Sequence, residues 1–362
     1  MTTYDVIIVG AGIAGASLAA EIAPFASTLL LEAEDQPGYH ATGRSAAFWS
    51  ESYGGPAIQP LTSASGAVLR EQGFLEPLGG LQIGRAADRP HMDAFIERFA
   101  GSGIVLEEVD PHDHIPGLRP DWVLGLAEAS SAYIDVGGLH AACLATAKRA
   151  GAVVMTRARM TAARRDATGW TIETSAGNVR GDIIVNAAGA WADEAATIAG
   201  VRPVGVTPYR RTVVQLRTDP LVPHDVPHVS DFASSFYFKP EAGGKMWLSP
   251  HDETRDTAHD VAPEELDVAI AIDRFEQVVD WRVAAVERRW AGLRSFAPDR
   301  LPVYGFAVDC PSYFWCVGQG GFGIQTAPAA AAVAASLLLR RALPEWVAHI
   351  DVGHYRPDRF AE

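Results

Sequence analysis

Cysteine is scarce in this chain of 362 residues: Cys143, Cys310 and Cys316 stand far apart. That leaves no basis for a disulfide framework or a thiolate metal cassette. Cys143 falls in an apolar helical pattern and Cys316 in an apolar strand pattern, so both read as core thiols of a reducing compartment. Lysine is equally sparse, with only Lys148, Lys239 and Lys245, so the positive charge is nearly all arginine. No basic cluster forms a phosphate-tracking stripe, and the net charge is -14. This argues against nucleic acid and against an anionic membrane surface as partners. Long hydrophobic runs are missing too. The Ala/Leu-rich residues 327–339 are too short to span a bilayer and end on Arg340-Arg341, so a buried helix and no transmembrane segment are expected. The first residues enter an apolar run at once, with neither a basic stretch nor a cleavage-type site, which argues against a signal peptide. A cytoplasmic location follows, with peripheral attachment to the inner membrane face as the variant. His112-Asp113-His114 and His224 with His228 resemble metal spacings, but they lie in Pro/Asp-rich loops without a third ligand, so no metal is expected. Repeats and low-complexity linkers are absent.

What is present is written first at the N-terminus. Residues 4–9 form an apolar, β-branched run, followed by Gly10-Ala11-Gly12-Ile13-Ala14-Gly15, a small-residue helical pattern, and a second apolar run, residues 28–31, that ends on Glu32. This is strand, glycine turn, helix, strand and acid in the order a dinucleotide site needs. Gly10 permits the tight turn, Gly12 lets backbone approach a pyrophosphate, and Gly15 lets the helix lie close to the strand. The helix N-terminus offers free N–H groups and partial positive charge to phosphates. Glu32 is placed to accept ribose hydroxyls and to repel a 2′-phosphate. The motif alone does not separate NAD from FAD.

Two later stretches favour a flavin. Gly38-Tyr39-His40-Ala41-Thr42-Gly43-Arg44-Ser45-Ala46-Ala47 suits an extended path along a bound cofactor, with Ser45 offering a hydrogen bond to a flat ring; taken alone it reads equally well as a surface loop. Residues 314–326 repeat strand, glycine turn and helix through Gln319-Gly320-Gly321-Phe322-Gly323-Ile324-Gln325-Thr326. A second helix N-terminus stabilises the negative charge of a reduced flavin, a need NAD does not have.

Hydrophobic content of 48% with 20% charged residues is ordinary globular composition, and the length suffices for two domains. Helical patterns cover residues 57–72, 90–101, 137–149, 263–279 and 327–339. Residues 211–216, 235–239 and 245–249 read as antiparallel strands of a separate sheet. The expected fold is α/β: a Rossmann-like FAD domain (residues 1–75, 135–205 and 296–362) interwoven with a smaller α+β, antiparallel-sheet substrate domain (residues 76–134 and 206–295).

The chain resembles the D-amino-acid oxidase superfamily of FAD-dependent oxidoreductases, and within it the bacterial D-arginine dehydrogenase branch. The resemblance is carried by the 10–15 turn with Glu32, by residues 38–47, and by Asn186-Ala187-Ala188-Gly189-Ala190-Trp191. It continues through Trp290-Ala291-Gly292-Leu293-Arg294-Ser295-Phe296 and residues 319–326. It implies that Gly10, Gly12, Gly15, Glu32, Thr42, Gly43, Arg44, Ser45, Ala46, Ala47, Gly189, Trp191, Gly320, Gly321, Gly323, Ile324 and Gln325 hold FAD. It also implies a substrate site of Arg211, Arg294, Tyr237, Tyr53, Phe48 and Gly321.

Oxidising an α-amino or α-hydroxy acid requires that its carboxylate be held, its amine be neutral and water be excluded. A bidentate arginine is the natural carboxylate clamp. By resemblance Arg211 and Arg294 fill that role, Tyr237 adds a hydrogen bond, and Tyr53 lies in a glycine-containing loop suited to a mobile lid. Two departures bear on the substrate. Phe48 stands where the D-arginine dehydrogenase pattern has a pocket histidine. Leu78-Gly79-Gly80-Leu81-Gln82-Ile83 lacks the acid that pairs with a cationic side chain. A pocket of Phe48, Leu81 and Trp247 therefore suits an uncharged side chain. With no cysteine near Arg294, FAD is expected to be noncovalent. The expected reaction is oxidative deamination of a D-amino acid to the imino acid and then the keto acid, by hydride transfer to the flavin. Sarcosine-like oxidation of an N-methyl amino acid and 2-hydroxy-acid dehydrogenation stand as alternatives. Sarcosine-oxidase-like relatives place a lysine beside the flavin to activate oxygen. Here only Lys245 stands at the corresponding strand, which favours a quinone or another electron acceptor over O₂.

Overall fold

The computed structural model describes residues 2–360. The apolar run at the N-terminus becomes the strand Thr3–Val9, the centre of an eight-stranded sheet. It pairs in parallel with Thr28–Leu31 on one side and Gly177–Asn186 on the other. Tyr313–Val317 extends the sheet beyond Gly177–Asn186, again in parallel. Such strands are covered on both faces, which is why they read as continuous β-branched and leucine runs instead of alternating ones. Ile8, Leu30 and Phe314 pack on one face with the helices Ile13–Ile22 and Ala327–Leu338. On the other face Ile7, Leu29 and Trp315 pack with Ala192 and Ala196.

The second sheet has ten strands and is nearly all antiparallel, the exception being His228–Asp231 beside Gly80–Arg85. Its spine is the long pair Thr207–Asp219 and Arg282–Phe296. Alternation along the strands sorts its side chains. Leu81, Val229, Phe238, Met246, Leu248, Val214 and Leu216 face the helix Glu265–Glu276, where Val268, Ala271 and Phe275 complete a core. Their sequence neighbours, among them Arg211, Tyr237, Lys239 and Trp247, point the other way.

Three features join the sheets. Phe48–Trp49, Leu75–Pro77 and Ala132–Ile134 form a small third sheet. The downstream glycine turn is stitched to the second sheet, with Ser295 opposite Gly320 and Phe296 opposite Gln319. The Arg44 guanidinium, reaching out of the first unit, donates to the carbonyls of Val261 and Ala291 at 2.8 and 3.1 Å and pairs with Asp260.

Some local expectations shift. The helix expected over 263–279 runs Glu265–Glu276, with Glu264 at its N-cap. Cys143 is only half-buried, whereas Cys310 and Cys316 are buried. No helix among the described residues is long and apolar enough to cross a membrane, and no metal-holding cluster of His, Cys, Asp or Glu is present among them.

Candidate active site

The glycine turn is built by contacts that tolerate no side chain. Gly10 has φ +103°, and a Cβ there would stand 2.4 Å from the Ala187 carbonyl oxygen. A Cβ on Gly15 would stand 2.0 Å from the Gly10 carbonyl oxygen. Gly12 caps the helix Ile13–Ile22 and offers no side chain to its first N–H groups. One of these, Ile13 N–H, donates to Thr42 Oγ1 at 3.0 Å, so the 38–47 loop closes onto the helix start. His140 braces the same turn through Ala11 O at 2.8 Å. The buried Glu32 accepts from Ala11 N–H and Glu34 N–H, one on each carboxylate oxygen, and its remaining lone pairs face a long cleft.

That cleft encloses about 1920 Å³ of empty space, its open mouth included. Gly10, Gly12, Glu32, Thr42, Arg44, Ser45, Ala46, Gly189, Trp191, Gly320, Gly321, Gly323, Ile324 and Gln325 line it. So do Phe48, Tyr53, Arg211, Tyr237 and Arg294. Gly15, Gly43 and Ala47 lie behind this surface. Gly15 supports the turn, Gly43 N–H donates to Gly38 O at 2.8 Å, and Ala47 turns the chain at φ +54°. Ser45 Oγ accepts from Ala47 N–H at 3.1 Å, so it serves this turn. The acids of the lining, Glu32, Glu34 and Glu194, sit at the nucleotide end with Trp191, whose ring lies 4.6 Å from that of His40.

At the far end, two guanidiniums meet two phenols. Arg211 is buried and donates through Nε to the Asp252 carbonyl at 2.7 Å; among the described residues neither of its terminal nitrogens has an acceptor. Burial, and then the nearby Arg294 charge, pull its pKa below the ordinary arginine value. Arg294 donates to the Tyr53 hydroxyl at 3.2 Å and to Glu253 at 2.6 Å, while among the described residues its buried Nε has no partner. Tyr237 lies under Arg211, with burial raising its phenol pKa. Gly321 makes the floor: a Cβ there would stand 2.5 Å from the Tyr53 hydroxyl and 3.1 Å from Arg294 Nη1. Phe48 closes the side, stacked on His228 at 4.2 Å and 5.0 Å from Tyr53.

Three sequence expectations change here. Leu81 faces the hydrophobic core, because its register partner Val229 and strand parity turn it away from the cleft. Trp247 is on the cleft-side face but packs on Trp290 at 5.0 Å and over Lys239, outside the lining. The loop carrying Tyr53 is pinned and is no free lid. Buried Glu128 accepts from Glu51 N–H at 2.7 Å and from the hydroxyls of Ser50 and Ser52, and Gln325 donates to Tyr53 O at 3.0 Å. Burial raises the Glu128 pKa.

Sequence reasoning set His228 in a Pro/Asp-rich loop and passed over His251; the structure places His228 at the start of the strand His228–Asp231. Both are neutral inside the protein, their pKa values pulled down to about 3 by burial. His228 backs Phe48, and the His251 ring stands edge-on to Tyr237 at 5.7 Å. Strand parity was the available signal for His228: it shares a face with Ser230, which pairs with Tyr237 across the ladder. Nothing local marks His251, Asp252 or Glu253.

A dinucleotide cradle running into a pocket with two arginines, held between a mixed sheet and a nearly all-antiparallel one, has the architecture of a flavin-dependent oxidoreductase. The family model for FAD-dependent oxidoreductases, DAO, matches residues 5–337, and the chain belongs to that family. Glycine oxidase from Geobacillus kaustophilus superimposes with a TM-score of 0.82 at 21% identity, covering 94% of this chain and 96% of that one. L-proline dehydrogenase from P. horikoshii gives 0.85 at 20% identity, covering 99% and 98%. In sequence, the bifunctional protein ThiO/ThiG of a Nostoc species is 24% identical over 98% of this chain and 55% of its own length. Rat mitochondrial dimethylglycine dehydrogenase is 26% identical over 88% of this chain and 41% of its own. The chain thus spans about half the length of the curated relatives it matches. FAD is the family's cofactor, and the cradle fits it: acceptors at Glu32 for ribose hydroxyls, a helix start whose N-cap Gly12 brings no side chain, and glycines where backbone must come close.

Proposed function

We propose that the protein oxidises an amino acid of uncharged side chain, gripping its carboxylate between Arg211 and Arg294. The observation that carries this reading is the convergence of the two guanidiniums with Tyr53 and Tyr237 above Gly321 in the cleft that holds Glu32 at its other end. FAD, bound noncovalently, supplies the two-electron acceptor. Arg211, with its terminal nitrogens free, offers the fork geometry a carboxylate accepts. Tyr53 and Tyr237 add hydroxyls, and the Phe48 and His228 rings, one stacked on the other, close the pocket to water. A neutral His228 and the absence of an acid at that end of the lining leave a cationic side chain without a partner. Oxidation yields an imine, whose hydrolysis gives the keto acid and ammonia.

The D-configuration rests on the sequence motifs shared with the D-arginine dehydrogenase branch. Relatives named for glycine and dimethylglycine support oxidation of an amine beside a carboxylate. Among the described residues no lysine lines the cleft, and Lys245 pairs with Glu287 at 2.8 Å, which supports a quinone or another acceptor over O₂. The division into a discontinuous FAD domain and a substrate domain, and a cytoplasmic location, belong to the same proposal.

Anaerobic bleaching of the purified yellow protein tests it against D-, L- and N-methyl amino acids and 2-hydroxy acids, followed by admission of air. Neutral D-amino acids such as D-methionine and D-phenylalanine should bleach fastest and exceed D-arginine in kcat/KM by about a thousandfold. That figure joins roughly 1.5–3 kcal/mol for burying the apolar group to the penalty of several kcal/mol for an unpaired cation. Slow recolouring in air marks a dehydrogenase. Bleaching by hydroxy acids alone, or D-arginine equal to D-methionine, overturns the reading.

A further inference from the structure

Three consecutive residues, His251-Asp252-Glu253, each back one side chain at the arginine end of the cleft. His251, held at φ +55°, sets its ring against Tyr237. Asp252 fixes Arg211 through its carbonyl and spends its carboxylate on Thr212, accepting from the N–H at 2.7 Å and the hydroxyl at 3.0 Å. Glu253 takes Arg294. One of its oxygens, Oε1, accepts from Arg294 Nη2 at 2.6 Å and from Arg300 Nη2 at 2.5 Å. The Arg300 guanidinium in turn lies over the Phe296 ring at 3.9 Å.

The charges of this corner are shared unevenly. The Asp252 carboxylate lies 3.8 Å from Arg211 and 4.0 Å from Arg210, which also meets Asp256, Glu264 and Asp267, whereas among the described residues Arg294 and Arg300 share the one carboxylate of Glu253. Removing Glu253 would leave Arg294, on the cleft wall, and the half-exposed Arg300 behind it facing a second place for a carboxylate. We propose that Glu253 is a specificity-determining residue that occupies this second site with the protein's own carboxylate, so that the pocket admits amino acids with one carboxylate and turns away dicarboxylic ones. The proposal rests on the reading that Arg211 and Arg294 hold the substrate carboxylate. A side-chain carboxylate reaching Arg294 would meet Glu253 at close range, and like charges set side by side at an interface are strongly rejected.

Calorimetric titration of the FAD-loaded protein with acetate and with malonate, at constant ionic strength and neutral pH, tests this without turnover. In Glu253→Gln, which keeps the shape and removes the charge, the malonate-to-acetate affinity ratio should rise by about tenfold or more. Glu253→Asp, which keeps the charge, should retain the wild-type ratio. Adding Arg300→Met to Glu253→Gln should abolish most of the gain. If acetate and malonate bind all variants with an unchanged ratio, or if Glu253→Asp shifts it as much as Glu253→Gln, the specificity role is overturned while the carboxylate site stands. If neither anion binds the wild-type protein, the carboxylate reading itself fails and this inference falls with it.

Discussion

The two ends of the cleft are held together by opposite means. The nucleotide end is made of missing atoms: glycines at positions 10 and 15, where a Cβ would collide with backbone, and Gly12, where it would crowd Thr42. Its polar groups are main-chain N–H groups, the Thr42 hydroxyl and the acids Glu32, Glu34 and Glu194. The arginine end is made of long charged side chains, each held from behind by a carboxylate or carbonyl from a distant part of the chain. The difference teaches where each end is vulnerable. Adding a methyl group breaks the first, and removing a charge breaks the second.

The largest expected effect comes from the second end. Arg294→Met or Arg211→Met should raise KM steeply and lower kcat/KM about a hundredfold or more, since losing one partner of a desolvated charge pair costs about 3–5 kcal/mol. FAD content should stay at the wild-type level. Near-wild-type kcat/KM in both single variants would locate the substrate carboxylate elsewhere and erase the contrast between the ends.

The reverse experiment is Gly15→Val. Its Cβ would stand 2.0 Å from the Gly10 carbonyl oxygen and 3.2 Å from the Ile8 side chain, against backbone that cannot yield cheaply. Overpacking of this kind costs about 1–3 kcal/mol even where side chains give way. The flavin released into the supernatant by acid precipitation, per mole of protein, should fall severalfold. In the arginine variants it should be released in full. A yellow pellet from the wild-type protein would refute noncovalent binding.

The smallest effect is a change of slope. The pKa of His228 is lowered from 6.5 to about 3. The unfolded chain therefore binds a proton that the folded chain refuses between those values. Stability from this group is complete above pH 6.5 and is lost as pH falls toward 3, by about 1.4 kcal/mol per pH unit. His251 acts in the same direction. His228→Phe keeps the stack on Phe48 and removes a ring whose Nε2 has no partner among the described residues. Denaturant midpoints measured across this range should show a shallower loss of stability on acidification in the variant. An unchanged slope would mean that the arginine end is wetter than its burial indicates.

Legibility in the sequence follows the same division. The strand Thr3–Val9, the turn after it and Glu32 are contiguous, so spacing alone locates them. The second glycine turn was legible for the same reason, and so was the separate antiparallel sheet. Leu81 was assigned to the pocket because one residue of strand parity, which register decides, was not available from composition. The Tyr53 loop looked like a lid because its glycines are local, whereas the Glu128 carboxylate that pins it lies more than seventy positions away.

By itself the sequence determined the nucleotide cradle, because it rests on short-range patterns of residue size and charge, and its motifs carried the family resemblance that singled out the two candidate arginines. Only the tertiary structure decided what those arginines face. Asp252 is brought to Arg211 across forty-one positions and Glu253 to Arg294 across a like distance in the opposite direction, both by the folding of one antiparallel sheet and the segment that crosses it. A charge pair formed through space leaves no periodic trace along the chain. The physical reason is that electrostatic partners are chosen by distance in three dimensions, while turns and strands are chosen by the residues next door.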